Sequence, residues 1–566
     1  MHDLVIRSGN VIDGSGEAAR SADVAVRDGR IVEVGRIREK GTREIDADGL
    51  LVTPGWVDVH THYDGQATWD PYLSPSCWHG VTTVVMGNCG VGFAPAAPDE
   101  HEWLISLMEG VEDIPGTALA EGLTWDWQSF PEYLDALDRR ELAVDVGAQL
   151  PHGALRAYVM GKRGGEHTSI PTADELEQMS AMARDAVLAG AIGFTTSRTK
   201  NHRSRDGDFT PSLTATSDEL MAIARGLGEA GCGVIEAVGD FEDLDTEFAL
   251  LRQMVETSHR PMSITVIQTP GSSNGWRRLL DRIEGAANDG LPMKAQVAAR
   301  AIGVLLGLDT TIHPFASHPS FAPLHTLPVA EKVARLRDPE LRARLFSEEL
   351  APGMRMIAGN FDRIFSMDDP PNYEPGPERS VTAIARERGV EPVECALDLM
   401  LENEGRGLLY SPFANYADGN LDSLREMLMS EHTVPGLGDG GAHVGLICDG
   451  SFPTTLMTHW GRDRTRGERL PLEYLVRQQT RATAELVGFR DRGLIAPGMK
   501  ADLNVIDWEA LSAHRPEIVH DLPAGGRRLV QRASGYVATV VSGEITHENS
   551  EPTGALPGKL VRGAQP

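Results

Sequence analysis

Cysteine is scarce. The 566-residue sequence has five, at positions 77, 89, 232, 395 and 448, with no CxxC pair. An odd number at such low density excludes a disulfide framework and points to a reducing compartment. Lysine is nearly as rare, at positions 40, 162, 200, 294, 332, 500 and 559. Lys and Arg total 53 against 82 Asp and Glu, a formal charge of −29. Such a field repels nucleic acid and anionic membrane, which removes both from the expected main partners. Long apolar runs are missing too. Stretches such as Ala301 to Leu308 fall far short of the roughly 20 residues that span a bilayer. The opening MHDLVIRSGNVIDG has no basic segment followed by an apolar one, so no signal peptide is read and a cytoplasmic protein is expected. What remains is ordinary: 41 % hydrophobic and 24 % charged residues exclude a disordered or fibrous chain. A chain this long can bury a large core without covalent staples.

The texture changes along the chain. Leu4 to Arg7, Ala22 to Arg27, Ile31 to Val34 and Leu51 to Val52 are short β-rich runs, and Asp28-Gly29 is a hairpin turn signal. Asp502 to Ile506 and Tyr536 to Val541 repeat that texture, with a turn at Ser542-Gly543. Between them, apolar runs (Val81 to Met86, Ala143 to Ala148, Gly190 to Thr195, Val234 to Val238, Met262 to Ile267) alternate with helical stretches such as Ala173 to Ala189 and Ser217 to Glu229. Strands alternating with helices predict a parallel sheet. The middle region exceeds the roughly 250 residues of a plain (β/α)8 barrel, so insertions are required. The Trp- and acid-rich stretch 97–135 and the Pro-rich stretch 311–380 are the candidates. The tail after Pro552 is expected to be loosely held.

The strongest chemical signal is PGWVDVHTHYDG, Pro54 to Gly65. A β-rich run ends in His60-Thr61-His62, and residues i and i+2 of a strand share a side. Both imidazoles can therefore face one zinc-like ion. The alternative is two surface histidines at a strand end. Cys89 follows an apolar strand in a Gly-Asn-Cys-Gly loop. On its chemistry alone it reads as a small buried hydrophobe as readily as a thiolate ligand. Asp439 lies in GLGDGGAHVG, where glycines allow close backbone approach; an ordinary Asp-Gly turn is the alternative. His443, four residues on, would orient substrate or cap the following helix. His152 ends the stretch Leu150-Pro151-His152 and is a candidate at the substrate; a histidine satisfied by backbone groups is the alternative.

These segments resemble the amidohydrolase superfamily, and within it the N-acyl-D-amino-acid deacylase branch. The opening IRSGNVIDGSG, the hairpin VRDGRIVEVG, PGWVDVHTHYD, GVTTVVMGNCGVGFAP, LPHGALRAYVMG, GLGDGGAHVG and the closing RGLIAPGMKADLNVID carry the resemblance over nearly the whole chain. It implies an α/β fold: a metal-dependent (β/α)8 barrel over 55–487, flanked by a small β-sandwich domain built from 1–54 and 488–566. It implies zinc as the cofactor, Cys89 and Asp439 as metal ligands beside His60 and His62, Asp439 as the proton acceptor, and a small-molecule amide as substrate. Self-association is left open.

The pattern also breaks. The branch has metal-ligating histidines at the ends of strands five and six, where this chain has Val238 and then Ile267 with Gln268. Glu236, on the otherwise apolar strand GVIEAVG, is costly to bury unpaired and is a candidate ligand or ion-pair partner. Gln268 is a candidate hydrogen-bond donor to substrate, and Arg198, in TTSRTKNHRSR, a candidate clamp for an anionic group. No lysine ends an assigned strand, so a carboxylated-lysine bridge is not expected; Lys200 is the nearest candidate. One metal on His60, His62, Asp439 and Cys89 is the simplest surviving arrangement. Gln296, Arg300, His313 and His318 form a second polar group without an assigned role, and Trp460, Arg462 and Asp463 read as packing after the last strand. The expected activity is metal-dependent hydrolysis of C–N bonds with Asp439 as general base. The rivals are a cyclic amide or imide hydrolase and a non-catalytic barrel serving in binding or assembly.

Overall fold

The computed structural model describes residues 1–563. Its centre is built from short strands whose residues are mostly buried, such as Val81–Met86, which is buried along its whole length. Strands covered on both faces lose the in–out alternation and read as continuous β-branched runs. Trp56–Asp58, Val81–Met86 and Asp145–Ala148 form one parallel sheet. Leu150–Pro151, Gly193–Arg198, Val234–Gly239, Met262–Thr265, Met293–Val297 and Thr433–Pro435 form a second, also parallel throughout. The two sheets are tied at both edges. The Gln149 N–H donates to Met86 O at 2.9 Å, between Ala148 and Leu150. Beyond the other ends, Thr61 bridges Gly440 in parallel.

Parallel neighbours need crossovers, and helices supply them. Ala173–Ala189 shows why the sequence makes one there. Thr172 accepts the Glu175 N–H, the Glu175 carboxylate accepts the Thr172 N–H, and Gly190 ends the helix at φ +117°. Because all these strands point one way, the loops after their C-terminal ends gather on one side. No helix among the described residues is long and apolar enough to cross a membrane.

Both ends of the chain meet in one nine-stranded sheet, in which Leu51–Pro54 pairs with Leu503–Ile506. Its core mixes the two ends: Val24, Val26 and Val52 pack with Leu503, Val505 and Val540. The sheet is joined to the central strands by a buried charge cluster. Asp145 lies 2.7 Å from Arg492 and 3.0 Å from Lys500, which is 2.6 Å from Asp502. Burial opposes ionisation of Asp145, yet Lys500 and Arg492 hold its carboxyl below the usual carboxylate value. That contribution is therefore present above about pH 4 and fades as acid titrates the group through its lowered value. Replacing Arg492 by Met is expected to lower unfolding stability by about 3 kcal/mol, since it strips a buried carboxylate of a partner. Denaturant unfolding at neutral pH measures it, and a loss below about 1 kcal/mol would show that Lys500 alone compensates.

Two departures from the sequence reading stand out. The Pro-rich stretch 311–380 lies within a wider unit. Ile302–Leu306, Phe365–Ser366 and Leu409–Ala414 form an antiparallel sheet, and Leu306, Phe315, Leu336, Leu345 and Leu397 belong to a separate core. Its framing strands are as apolar as the parallel ones, so composition alone does not mark its limits. Nor is the tail loose as far as residue 563. Gly558 N–H donates to Leu142 O at 2.7 Å, Leu560 bridges Val146, and Gly563 N–H donates to Gly190 O at 2.9 Å. Residues 564–566 lie outside the described residues.

Candidate metal centre

His60 and His62 follow the strand Trp56–Asp58 and are both buried. Thr61 between them turns the other way, its hydroxyl donating to Val85 O at 2.8 Å. The alternation that puts both imidazoles on one side is thus kept beyond the strand. Cys89 sits in the turn after Val81–Met86 and Asp439 in the loop after Thr433–Pro435. Cys89, Asp439 and His443 have φ of +55°, +44° and +50°. Left-handed backbone costs an L residue on the order of 1–2 kcal/mol, and such strain gathers where side-chain direction matters. Gly440 is required by space as well: a Cβ there would lie 2.5 Å from Ser76 Oγ and 2.7 Å from Tyr63 Oη.

The donor atoms of His60, His62 and Cys89 lie within 4.8 Å of one another. His60 Nε2 is 3.3 Å from Cys89 Sγ and 3.4 Å from Asp439 Oδ1, which is 3.6 Å from His62 Nε2. Tetrahedral bonds of 2.0–2.3 Å imply ligand-to-ligand edges of about 3.3–3.8 Å, so these separations suit a zinc-like ion. The remaining ring nitrogens are held from behind. His60 Nδ1 meets Gln296 Oε1 at 2.8 Å, and Gln296 Nε2 donates to Ser263 Oγ at 2.9 Å. An amide oxygen only accepts, so Nδ1 carries the proton and Nε2 offers its lone pair to the centre. His62 Nδ1 lies 3.3 Å from Glu112 Oε1. Glu236 accepts the Cys89 N–H at 3.1 Å with Oε2, while its buried Oε1 has no hydrogen-bond partner.

The fields follow from this crowding. Burial pushes His60 down to about 4. Burial opposes charge on His62 as well, but the carboxylates of Glu112 and Asp439 raise it to about 9. Asp439 is mostly withdrawn from water, which opposes its charge, yet His62 and His60 hold it well below the carboxylate range. Burial pushes Glu236 up to about 8, and burial with Glu236 and Glu112 pushes the Cys89 thiol well up. A dication placed among these donors would reverse that logic and favour thiolate and carboxylate.

The structure therefore gathers His60, His62, Cys89, Asp439 and Glu236. His443 sits at their rim, its Nε2 3.4 Å from Glu112 Oε2. Three residues expected at the substrate are engaged elsewhere. His152 Nδ1 meets Thr196 Oγ1 and its Nε2 meets Glu219 Oε1, both at 2.9 Å. Glu219 in turn takes both its oxygens to Arg156 Nη1, so His152 belongs to a buried ion-pair network. Gln268 Nε2 donates to Asp418 Oδ2 at 2.7 Å and its Oε1 accepts the Ala417 N–H at 3.0 Å, which pins the 415–418 turn. Arg198 directs Nη1 to Ala215 O at 2.9 Å. In all three cases a polar side chain near a strand end is held by a partner from another segment. Val238 and Ile267 pack against the core. Arg300 pairs with Asp449 at 2.9 Å over the Tyr373 ring, and His313 packs on Phe321.

Glu112 was not singled out by sequence reasoning. It closes the helix His101–Glu112, whose Leu104, Leu107, Met108 and Val111 are buried. An acid at the end of an apolar stripe is the signal that could have found it. His202 is the other: its Nδ1 meets Ser197 Oγ at 2.9 Å, and burial and the histidines of the centre push it down to about 3.

A family model described as amidohydrolase family matches residues 43–547. The chain is 28 % identical over 552 residues to N-acyl-D-glutamate deacylase of Alcaligenes xylosoxydans xylosoxydans, covering 92 % of this chain and 93 % of that protein. It is 25 % identical over 567 residues to D-aminoacylase of the same organism, covering 99 % and 97 %. The solved N-acyl-D-glutamate deacylase of Bordetella bronchiseptica, complexed with zinc and a phosphonate mimic of the tetrahedral intermediate, superposes with a TM-score of 0.65 at 23 % identity over 99 % of each chain. At that identity the likeness gives the fold.

Proposed function

Because the chain belongs to the amidohydrolase family, hydrolases of C–N bonds other than peptide bonds, we propose that it removes the acyl group from N-acyl-D-amino acids or close relatives. In this reading Asp145–Ala148 and Leu150–Pro151 are one interrupted strand and the two parallel sheets form one closed (β/α)8 barrel, with 1–54 and 488–566 as the flanking β-domain. His60, His62, Cys89 and Asp439 hold one zinc-like ion, and Glu236 supports it through Cys89 or joins it with its free oxygen. The ion, when bound, polarises the amide carbonyl and brings the pKa of its water toward about 7.

The protein's own groups do the rest. Gln296 keeps the His60 proton on Nδ1, so that Nε2 stays a lone-pair donor. Asp439 takes the water proton on its carboxylate and returns it to the leaving nitrogen. His443, exposed on one side at the rim, is placed to meet the substrate. The surrounding burial excludes competing water. A non-catalytic barrel does not account for the approach of His60, His62, Cys89 and Asp439 to one point.

One observation carries the proposal: the donor atoms of His60, His62 and Cys89 lie within 4.8 Å of one another, and Asp439 Oδ1 lies 3.4 and 3.6 Å from the two imidazoles. Metal analysis of the purified protein is expected to find about one equivalent per chain. Less than a tenth of an equivalent, not restored by added zinc, would sink it. Turnover of N-acetyl-D-amino acids but not of cyclic imides separates the deacylase reading from its nearest rival.

A further inference from the structure

Glu112 reaches the centre from outside the parallel strands, at the end of the inserted helix His101–Glu112. Its side chain is 1 % exposed. Oε1 lies 3.3 Å from His62 Nδ1 and Oε2 lies 3.4 Å from His443 Nε2. Both contacts are ion-pair approaches: neither oxygen, nor His62 Nδ1, makes a hydrogen bond to any group among the described residues. A carboxylate this deep is costly unless both oxygens are matched, so its two histidines are its reason to be there. The backbone agrees with the side chain. The Glu112 carbonyl accepts the His443 N–H, and the next residue, Asp113, accepts the Gly445 N–H at 3.1 Å and the Thr311 hydroxyl at 3.0 Å. One dipeptide of the insertion thus grips the 443–445 loop at three points and the His60–His62 segment at a fourth.

We propose that Glu112 is a positioning residue: it fixes the proton of His62 on Nδ1, turns Nε2 to the metal, and holds His443 at the rim in the same stroke. The insertion is then part of the centre's frame and not a cover over it. This rests on the metal-centre reading above. Outer partners of metal-bound histidines typically contribute 10–100-fold in affinity. A carboxylate shared by a ligand histidine and a rim histidine further couples metal retention to the loop expected to meet substrate.

The test compares wild type with E112Q, which keeps the shape and removes the charge. Zinc affinity is measured by competition with a chelator, and folding by circular dichroism. The expected result is a folded E112Q whose zinc dissociation constant rises about 10–100-fold, with kcat lowered and KM raised. Folded E112Q with wild-type zinc affinity would overturn the inference and leave the metal centre standing. A wild-type chain that binds no zinc would sink both. If E112Q fails to fold, ¹⁵N-histidine NMR of the wild-type holoprotein decides. A proton on His62 Nδ1 supports the inference, and a bare Nδ1 overturns it.

Discussion

Asp439→Asn is expected to lower kcat by about 10²–10⁴ while the chain still folds. The substitution preserves size and one oxygen that can face a metal, but an amide takes up no proton. Only the steps that move a proton or develop charge should suffer. The local structure favours a clean experiment. Asp439 N–H donates to His60 O at 3.0 Å, so the backbone that presents the side chain is fixed without help from the carboxylate. Because Oδ1 lies 3.4 and 3.6 Å from the two imidazoles, metal occupancy must be measured on the same sample. An Asp439→Asn protein with full metal and near-normal turnover would move the base elsewhere. Glu236 is then the next candidate, its Oε1 being buried and unpartnered. His152 is bound on both ring nitrogens and has none free to take the proton.

Much of the frame was legible because it rests on local signals. All-apolar runs of β-branched residues mark strands buried on both faces, and capping pairs such as Thr172 with Glu175 mark where helices begin. The paired His60 and His62 needed only the two-residue alternation of extended chain. What could not be read depends on contacts between distant positions. Leu560 meets Val146 and Gly558 meets Leu142 across more than four hundred residues, and nothing near Leu560 announces it. The limits of the 302–414 subdomain were hidden for another reason: IGVLL and LYSPFA satisfy the same pattern as the central strands.

The site divides along the same line. His60, His62, Cys89 and Asp439 stand at or just beyond strand ends, where a parallel frame gathers its loops, so their convergence follows once the strands are found. Gln268 and His152 also stand at strand ends, yet their partners at 417–418 and 219 come from elsewhere in the chain. A polar residue at such a position is ambiguous until those partners are known. Glu112 is the converse case. It ends a helix outside the parallel strands, and its value comes from two histidines, one fifty positions before it and one more than three hundred after.

Cys89→Ala separates the two readings of a buried thiol. Alanine retains the Cβ, so the left-handed turn at φ +55° carries the same strain in both proteins. Only Sγ is lost, the atom 3.3 Å from His60 Nε2. If the thiol is a ligand, zinc affinity should fall by more than the 10–100-fold typical of supporting residues, and turnover should fall with it. If it only fills space, affinity should stay and stability should fall by about 1 kcal/mol, the cost of a small cavity. Burial beside Glu236 and Glu112 pushes the metal-free thiol well up, so it is no thiolate on its own account. A dication is what would ionise it, and binding should then release a proton. Proton release on adding zinc, measured in weak buffer, should therefore be smaller in Cys89→Ala than in wild type. Equal release from both proteins would leave Cys89 as packing and the centre with His60, His62, Asp439 and the free oxygen of Glu236.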